Sequence, residues 1–255
     1  MDNALQKQIE KIDADLREKF GMTAEQTSIA FFDSKRNSRA NIREQHLEYA
    51  ASVAKIGILL AYFELHPQAA TNLNPQTKYE LGLMIKASSN EMAAKFSEEM
   101  GLRQIQDVLN RHGFYDPARG GGIWVGKHYG KSGERIGDPI GNNSHAATAE
   151  QVLRFLLEMD EGRLLSKDAS ARMREIFASP EIPHDQIKFV KALAGRNLTI
   201  LRKWGSWEDW LHDSALIEGP NRKYILVALT HHPRGDEYLE ELARRIDDLM
   251  QSQSQ

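Results

Sequence analysis

Tyr49-Ala50-Ala51-Ser52-Val53-Ala54-Lys55-Ile56-Gly57-Ile58-Leu59-Leu60 sets a serine and a lysine three residues apart at the head of a long apolar run. If the run is helical, one turn brings position i+3 back beneath position i, so the Lys55 ammonium lies under the Ser52 hydroxyl. A hydroxyl is a poor nucleophile until a neighbour takes its proton. A lysine that is desolvated, or crowded by another cation, can lose its charge and serve as that base. An ordinary buried helix can also begin Ser-x-x-Lys by chance, so the pair gains meaning only from partners elsewhere in the chain.

The surrounding composition narrows what those partners can be. With 255 residues, 41% of them apolar and 27% charged, the chain has the make-up of a soluble globular protein and ample material for a core. A net charge of −3 and the lack of a basic block argue against nucleic acid as a partner. The sequence has no cysteine, which excludes disulfides, thiolate metal sites and a cysteine nucleophile. Its histidines show no ligand spacing, so no metal and no cofactor is expected. No run reaches the roughly eighteen apolar residues that a membrane span needs. The N-terminus, Met1-Asp2-Asn3-Ala4-Leu5-Gln6, shows no basic-then-apolar leader pattern, which leaves a cytoplasmic protein or one whose leader was removed.

Outward from the Ser52 run, hydrophobic spacing lays out the elements. Leu5, Ile9, Ile12, Leu16 and Phe20 predict an amphipathic helix ending at Gly21. Thr27 to Asp33 reads as a strand and Arg39 to Glu44 as its return. The Ser52 helix stops at His66-Pro67, and helices follow from Pro75 to Ala87, from Glu91 to Met100, and around Leu102 to Leu109. A glycine-rich stretch, 113–145, reads as an irregular loop of a length that is usually functional or disordered. Helices are predicted again over Ala146–Met159, Lys167–Phe177 and Gln186–Leu193. Leu198–Lys203, Asp213–Glu218 and Lys223–Thr230 read as strands, followed by a helix carrying Leu239, Leu242, Ile246 and Leu249 and a frayed tail, Gln251 to Gln255. The fold class is therefore α+β: an antiparallel sheet built from both chain ends (1–48 and 190–255), flanked by the terminal helices, around an inserted all-helical domain (49–189) that carries the loop.

Three polar interruptions punctuate this pattern: Ser52-Val53-Ala54-Lys55, Ser88-Ser89-Asn90 and Lys203-Trp204-Gly205-Ser206. In order, spacing and setting the chain resembles the class A serine β-lactamases and the penicillin-recognising D-alanyl-D-alanine peptidases, whose motifs run Ser-x-x-Lys, Ser-x-Asn, Lys-Thr-Gly. The resemblance covers nearly the whole chain and implies the same split sheet around a helical domain. It implies that Ser52 is a nucleophile forming an acyl-enzyme and that Lys55 helps deprotonate it or keeps the local field positive. Ser88 would relay a proton to the leaving nitrogen, Asn90 would position Lys55 and the substrate, and Lys203 would hold a substrate carboxylate. The backbone N–H groups of Ser52 and Ser206, flanking Gly205, would form the oxyanion hole. The substrate would be a small molecule or peptidoglycan-like, and the protein a periplasmic or secreted bacterial one.

Two departures qualify this. Trp204 replaces the small hydroxyl residue that normally sits beside the substrate carboxylate, and Trp207 and Trp210 lie close in sequence. The class A Glu-x-x-x-Asn loop, whose glutamate activates the deacylating water, has no clean counterpart in residues 122–138. Glu134, with Asp138 four residues on, is the nearest carboxylate, and His128 and Tyr129 are alternative acids or bases. Slow or absent β-lactam turnover follows from that reading. The other readings are a D-alanyl peptidase, a small-ester or amide hydrolase, and a non-catalytic binding or regulatory module on the same fold. Gly121 to His128 nearly spells a phosphate-cradling loop but ends in histidine where a magnesium-binding hydroxyl is required. The oligomeric state has no sequence signature here.

Overall fold

The computed structural model describes residues 3–252. The chain starts with α1 (Asn3–Phe20), then β1 (Thr27–Asp33), β2 (Ser38–Ile42) and the short β3 (Glu48–Tyr49). A 3₁₀ turn, Ala51–Ala54, leads into α2 (Lys55–Leu65), followed by α3 (Pro75–Ile85), α4 (Asn90–Met100) and α5 (Leu102–Arg111). Four short strands come next: β4 (Tyr115–Asp116), β5 (Gly121–Gly122), β6 (Trp124–Val125) and β7 (His145–Ala147). The chain closes with α6 (Ala149–Asp160), α7 (Lys167–Ala178), α8 (Lys188–Ala192), β8 (Thr199–Trp207), β9 (Trp210–Glu218), β10 (Lys223–His231) and α9 (Gly235–Ser252).

Both chain ends build one antiparallel five-stranded sheet in the order β2-β1-β10-β9-β8. Its central strands are buried on both faces, and the two-residue period of a strand divides their side chains between two cores. Ile29, Phe31, Tyr224, Leu226 and Ala228 face α1, α8 and α9, whereas Ala30, Phe32, Ile225, Val227 and Leu229 face the helical block. Between that block and the sheet runs α2, apolar around its whole circumference with nine of its residues buried, as a helix surrounded by protein must be.

The terminal layer is pinned by one buried carboxylate. Asp247 of α9 accepts from Arg222 Nε at 2.6 Å, Arg222 Nη2 at 2.9 Å, Arg196 Nη1 at 2.7 Å and the Tyr224 hydroxyl at 2.9 Å. These donors hold its carboxyl below the usual carboxylate range in spite of burial. Asp247→Ala is expected to destabilise the fold by about 3 kcal/mol, because it strands two guanidinium groups and a phenol; urea denaturation measures this.

The structure adjusts several boundaries. Ser52 lies on the 3₁₀ turn rather than inside the α-helix, and Ala146 and Ala147 belong to β7 rather than to the helix after it. The loop 113–145 is not irregular throughout: β3, β7 and β6 make a small sheet, β4 pairs with β5, and Lys127 bridges Arg135. Strand β8 runs four residues past Lys203, so the third motif sits within a strand and not at its end. Gln251 and Ser252 continue α9, and the rest of the tail, Gln253 to Gln255, lies outside the described residues.

Candidate active site

The Ser52 turn is held from three sides. Ala51, immediately before the serine, has φ +44°, a left-handed conformation costly for a residue with a Cβ. Its carbonyl accepts from the Tyr129 hydroxyl at 2.8 Å. Two residues earlier, the Tyr49 carbonyl is 2.7 Å from His212 Nε2, while His212 Nδ1 accepts from the Thr230 N–H at 3.1 Å. That acceptor role places the imidazole proton on Nε2, where it donates to Tyr49. Burial pushes the His212 pKa down to about 3, so the clamp stays neutral. The third side is β8. A Cβ on Gly205 would lie 2.9 Å from Ala50 O and 3.0 Å from both Ser52 N and Val53 N, so only glycine lets the strand edge approach this closely. Gly205→Ala is therefore expected to push the strand off the turn and slow any reaction at Ser52 about a hundredfold, measured as the rate of covalent labelling.

The polar groups form a chain beside that turn. Lys55 is fully buried. Its Nζ donates to Ser88 O at 2.5 Å and to Asn90 Oδ1 at 2.8 Å, and lies 3.4 Å from Ser88 Oγ. Desolvation pushes its pKa down to about 7. The Tyr129 ring, stacked on His145 at 4.0 Å, lies 4.6 Å from the Lys55 nitrogen. Ser88 adopts φ +54° at the junction between α3 and α4, and this turns its hydroxyl to Lys203 Nζ, 2.9 Å away. Lys203, also fully buried, donates to Trp204 O at 2.7 Å. Burial and the nearby Lys55 hold its pKa well below the ordinary lysine value. Ser88 thus stands between two lysines. It is Ser89, not Ser88, that caps α4, accepting from Met92 N at 3.2 Å.

A neutral amine has two N–H groups and one lone pair. Once neutral, Lys55 has two N–H groups to match its two shorter contacts, Ser88 O and Asn90 Oδ1, and a lone pair able to take a proton; Ser88 Oγ is its third contact. The cavity over this chain has a volume of about 710 Å³ and is lined by Ser52, Asn90 and Ser206. Its walls are the β8–β9 hairpin, with Trp207, Glu208 and Trp210, and the loop, with Lys127, His128 and Lys131.

The structure gathers Ser52, Lys55, Ser88, Asn90, Lys203, Gly205 and Ser206 in one place, and leaves Glu134 out. Glu134 is exposed on the loop and does not border the cavity. Its companion Asp138 is committed to the loop itself, accepting from the N–H groups of Ile140 at 3.0 Å, Gly141 at 2.8 Å and Asn143 at 2.5 Å. His128 borders the cavity with Nδ1 2.8 Å from Ser97 Oγ. Tyr129 is buried, its pKa raised far above the ordinary phenol value, and serves the turn. Trp204 does not border the cavity; it packs between Lys188 and Lys203, with each ammonium 5.2 Å from its ring. Trp207 stands 58% exposed at the rim, and Trp210 stacks on His231 at 3.7 Å.

Sequence reading missed His212 and Lys188. Lys188 is fully buried with φ +51°, and its Nζ donates to Gly205 O at 2.7 Å, Ser206 Oγ at 2.6 Å and His212 O at 3.2 Å. It braces the segment of β8 that faces Ser52. Its lone signal in the sequence is a lysine at an otherwise apolar helix start, Ile187-Lys188-Phe189-Val190.

Residues 74–250 match the model of the Beta-lactamase enzyme family. The chain belongs to that family, and so to the β-lactamase-like hydrolases. No curated protein matches the chain. Among solved structures, the β-lactamase from Sphaerobacter thermophilus is similar over 96% of this chain and 97% of its own, with a TM-score of 0.75 at 13% identity. A class A β-lactamase from Bacteroides cellulosilyticus is similar over 97% and 98%, with a TM-score of 0.74 at 14% identity. PBP-A is similar over 95% and 96%, with a TM-score of 0.71 at 16% identity. These identities speak for a shared fold, α+β with an antiparallel sheet.

Among the described residues no group of histidine, aspartate and glutamate is arranged to hold a metal ion, and no helix is long and apolar enough to cross a membrane.

Proposed function

We propose that the protein is a serine hydrolase that forms an acyl-enzyme on Ser52 from an amide or ester, a β-lactam or a D-alanyl-peptide-like substrate. The observation that carries this is the polar chain Lys55–Ser88–Lys203 beside a serine whose turn is held at positive φ, with Lys55 buried and its pKa pushed down to about 7. In the reaction, Ser52 Oγ attacks the substrate carbonyl and its proton passes to Lys55 Nζ. The N–H groups of Ser52 and Ser206 stabilise the tetrahedral oxyanion. As that intermediate collapses, the bond to the leaving nitrogen breaks and the proton travels from Lys55 through the Ser88 hydroxyl to that nitrogen. Lys203, donating to Ser88 Oγ, keeps that hydroxyl's own hydrogen directed at the leaving group. One of the structural neighbours, a PBP-A variant, has been solved as an acyl-enzyme with penicillin G, which supports the same chemistry here.

Deacylation needs a placed water and a base for it. The loop offers neither Glu134 nor Asp138 to the cavity, and the carboxylate that borders it, Glu208, belongs to the β8–β9 hairpin. The acyl-enzyme is accordingly long-lived. A chromogenic cephalosporin mixed with stoichiometric protein is expected to give a burst of about one equivalent followed by a much slower steady state, as accumulating acyl-enzymes do. Rapid turnover without a burst would contradict slow deacylation, and no reaction at all would favour a binding module. A periplasmic or secreted location goes with this reading.

A further inference from the structure

The cations around the cavity fall into two sets. On the sheet side they are buried and their donors are used. Lys188 directs three N–H groups to Gly205 O, Ser206 Oγ and His212 O, which exhausts an ammonium. Lys203 bonds Ser88 Oγ and Trp204 O, and the Trp204 indole covers both ammonium groups. Neither lysine borders the cavity, nor does Trp204, so among the described residues a substrate anion arriving at this edge finds no free cation.

The loop side differs. Lys127 is half-buried and borders the cavity, and among the described residues its ammonium makes no hydrogen bond or ion pair. Lys131 borders the same wall, 3.7 Å from the exposed Glu98. The neighbouring lining residues Asn143 and Ser144 are neutral, and His145 is kept neutral by burial and by Lys55, Lys127 and Arg135. Glu208 stands on the opposite wall. An unpaired ammonium at the wall of a concave site attracts anions more strongly than the same charge on open surface.

We propose that the acyl donor carries a carboxylate and that Lys127, on the loop, recognises it in place of the β8 edge. This rests on the acyl-enzyme reading of Ser52. It also accounts for Trp204: with the anion held across the cavity, the strand edge has no need of a hydroxyl there.

The test compares aryl esters in matched pairs, neutral against carboxylate-bearing, with the carboxylate on the acyl chain in one pair and on the aryl leaving group in the other. The rate of Ser52 acylation is read by intact mass. One carboxylate ester is expected to react about tenfold faster than its neutral match, the size of one charge-assisted hydrogen bond. Added salt shrinks that ratio. Lys127→Gln is expected to bring the ratio close to one, Lys127→Glu to invert it, and Lys127→Arg to restore it. The ratio is internal to each variant, so a general loss of activity cancels. A ratio unchanged in Lys127→Gln, or no preference for either carboxylate ester in the unaltered protein, overturns the assignment while acylation itself stands. Acylation by none of the four esters overturns both.

Discussion

Covalent labelling by penicillin or by a fluorophosphonate is expected to vanish in Ser52→Ala, with a loss on the order of 10⁴-fold or more in acylation rate. The size of the effect follows from the chemistry, since alanine at this position has no oxygen to carry the acyl group. The turn that carries Ser52 is tied down by His212, Tyr129 and Gly205 through backbone atoms, so removal of one hydroxyl leaves that frame intact. The melting temperature is therefore expected to stay near that of the unaltered protein. Labelling that survives in Ser52→Ala at an undiminished rate would place the nucleophile elsewhere.

The second large effect belongs to Lys55. Its lone pair is available only when the side chain is neutral, and burial sets the midpoint of that change at a pKa of about 7. The sign follows directly: below this value Lys55 holds its proton and cannot act as base, and above it the amine is free. Acylation is expected to rise about tenfold per pH unit up to pH 7 and to level off above about pH 8. Lys55→Arg removes the base altogether, because a guanidinium keeps its proton throughout this range. A loss of about 10³-fold is expected, together with disappearance of the rise through pH 7. Stopped-flow acylation rates between pH 5 and 9 measure both. A flat profile in the unaltered protein would show that Lys55 is not the group that titrates.

Most of this architecture was legible in the sequence because its elements are long and periodic. Thr27–Asp33 was read with its observed limits, and α1, α3 to α5, α7 and the strands β9 and β10 fall within a few residues of theirs. The two chain ends meet in one sheet for the reason the pattern suggested: Ile225 to Leu229 is apolar on both faces and needs cover on both. Strand β8 outruns its sequence signal because Trp204-Gly205-Ser206 breaks the apolar alternation, and its glycine is explained by the Ser52 backbone, some 150 residues away in the chain, a contact no local pattern encodes.

The site divides along the same line. Ser52, Lys55, Ser88, Asn90 and Lys203 form short motifs that could be found by their order. His212 and Lys188 act through carbonyl oxygens of distant segments, so their roles have no motif beside them in sequence; the apolar neighbours of Lys188 hint at its burial and not at its partners. Glu134 is the nearest carboxylate to where the resemblance calls for one, and sequence position alone does not tell which way a loop side chain faces. Asp138 and Tyr115 instead fold the loop onto itself, their hydrogen bond being 3.1 Å, and Gly126 lets Ile136 O approach to where a Cβ would stand. The ordered loop turns Lys127 and His128 to the cavity and leaves Glu134 in solvent.

Peptide mapping after labelling with a fluorophosphonate tests the central claim most directly. A single phosphonyl adduct on the peptide that contains Ser52, forming faster at pH 8 than at pH 6, is the predicted result. An unlabelled protein, or an adduct on another residue, would contradict it.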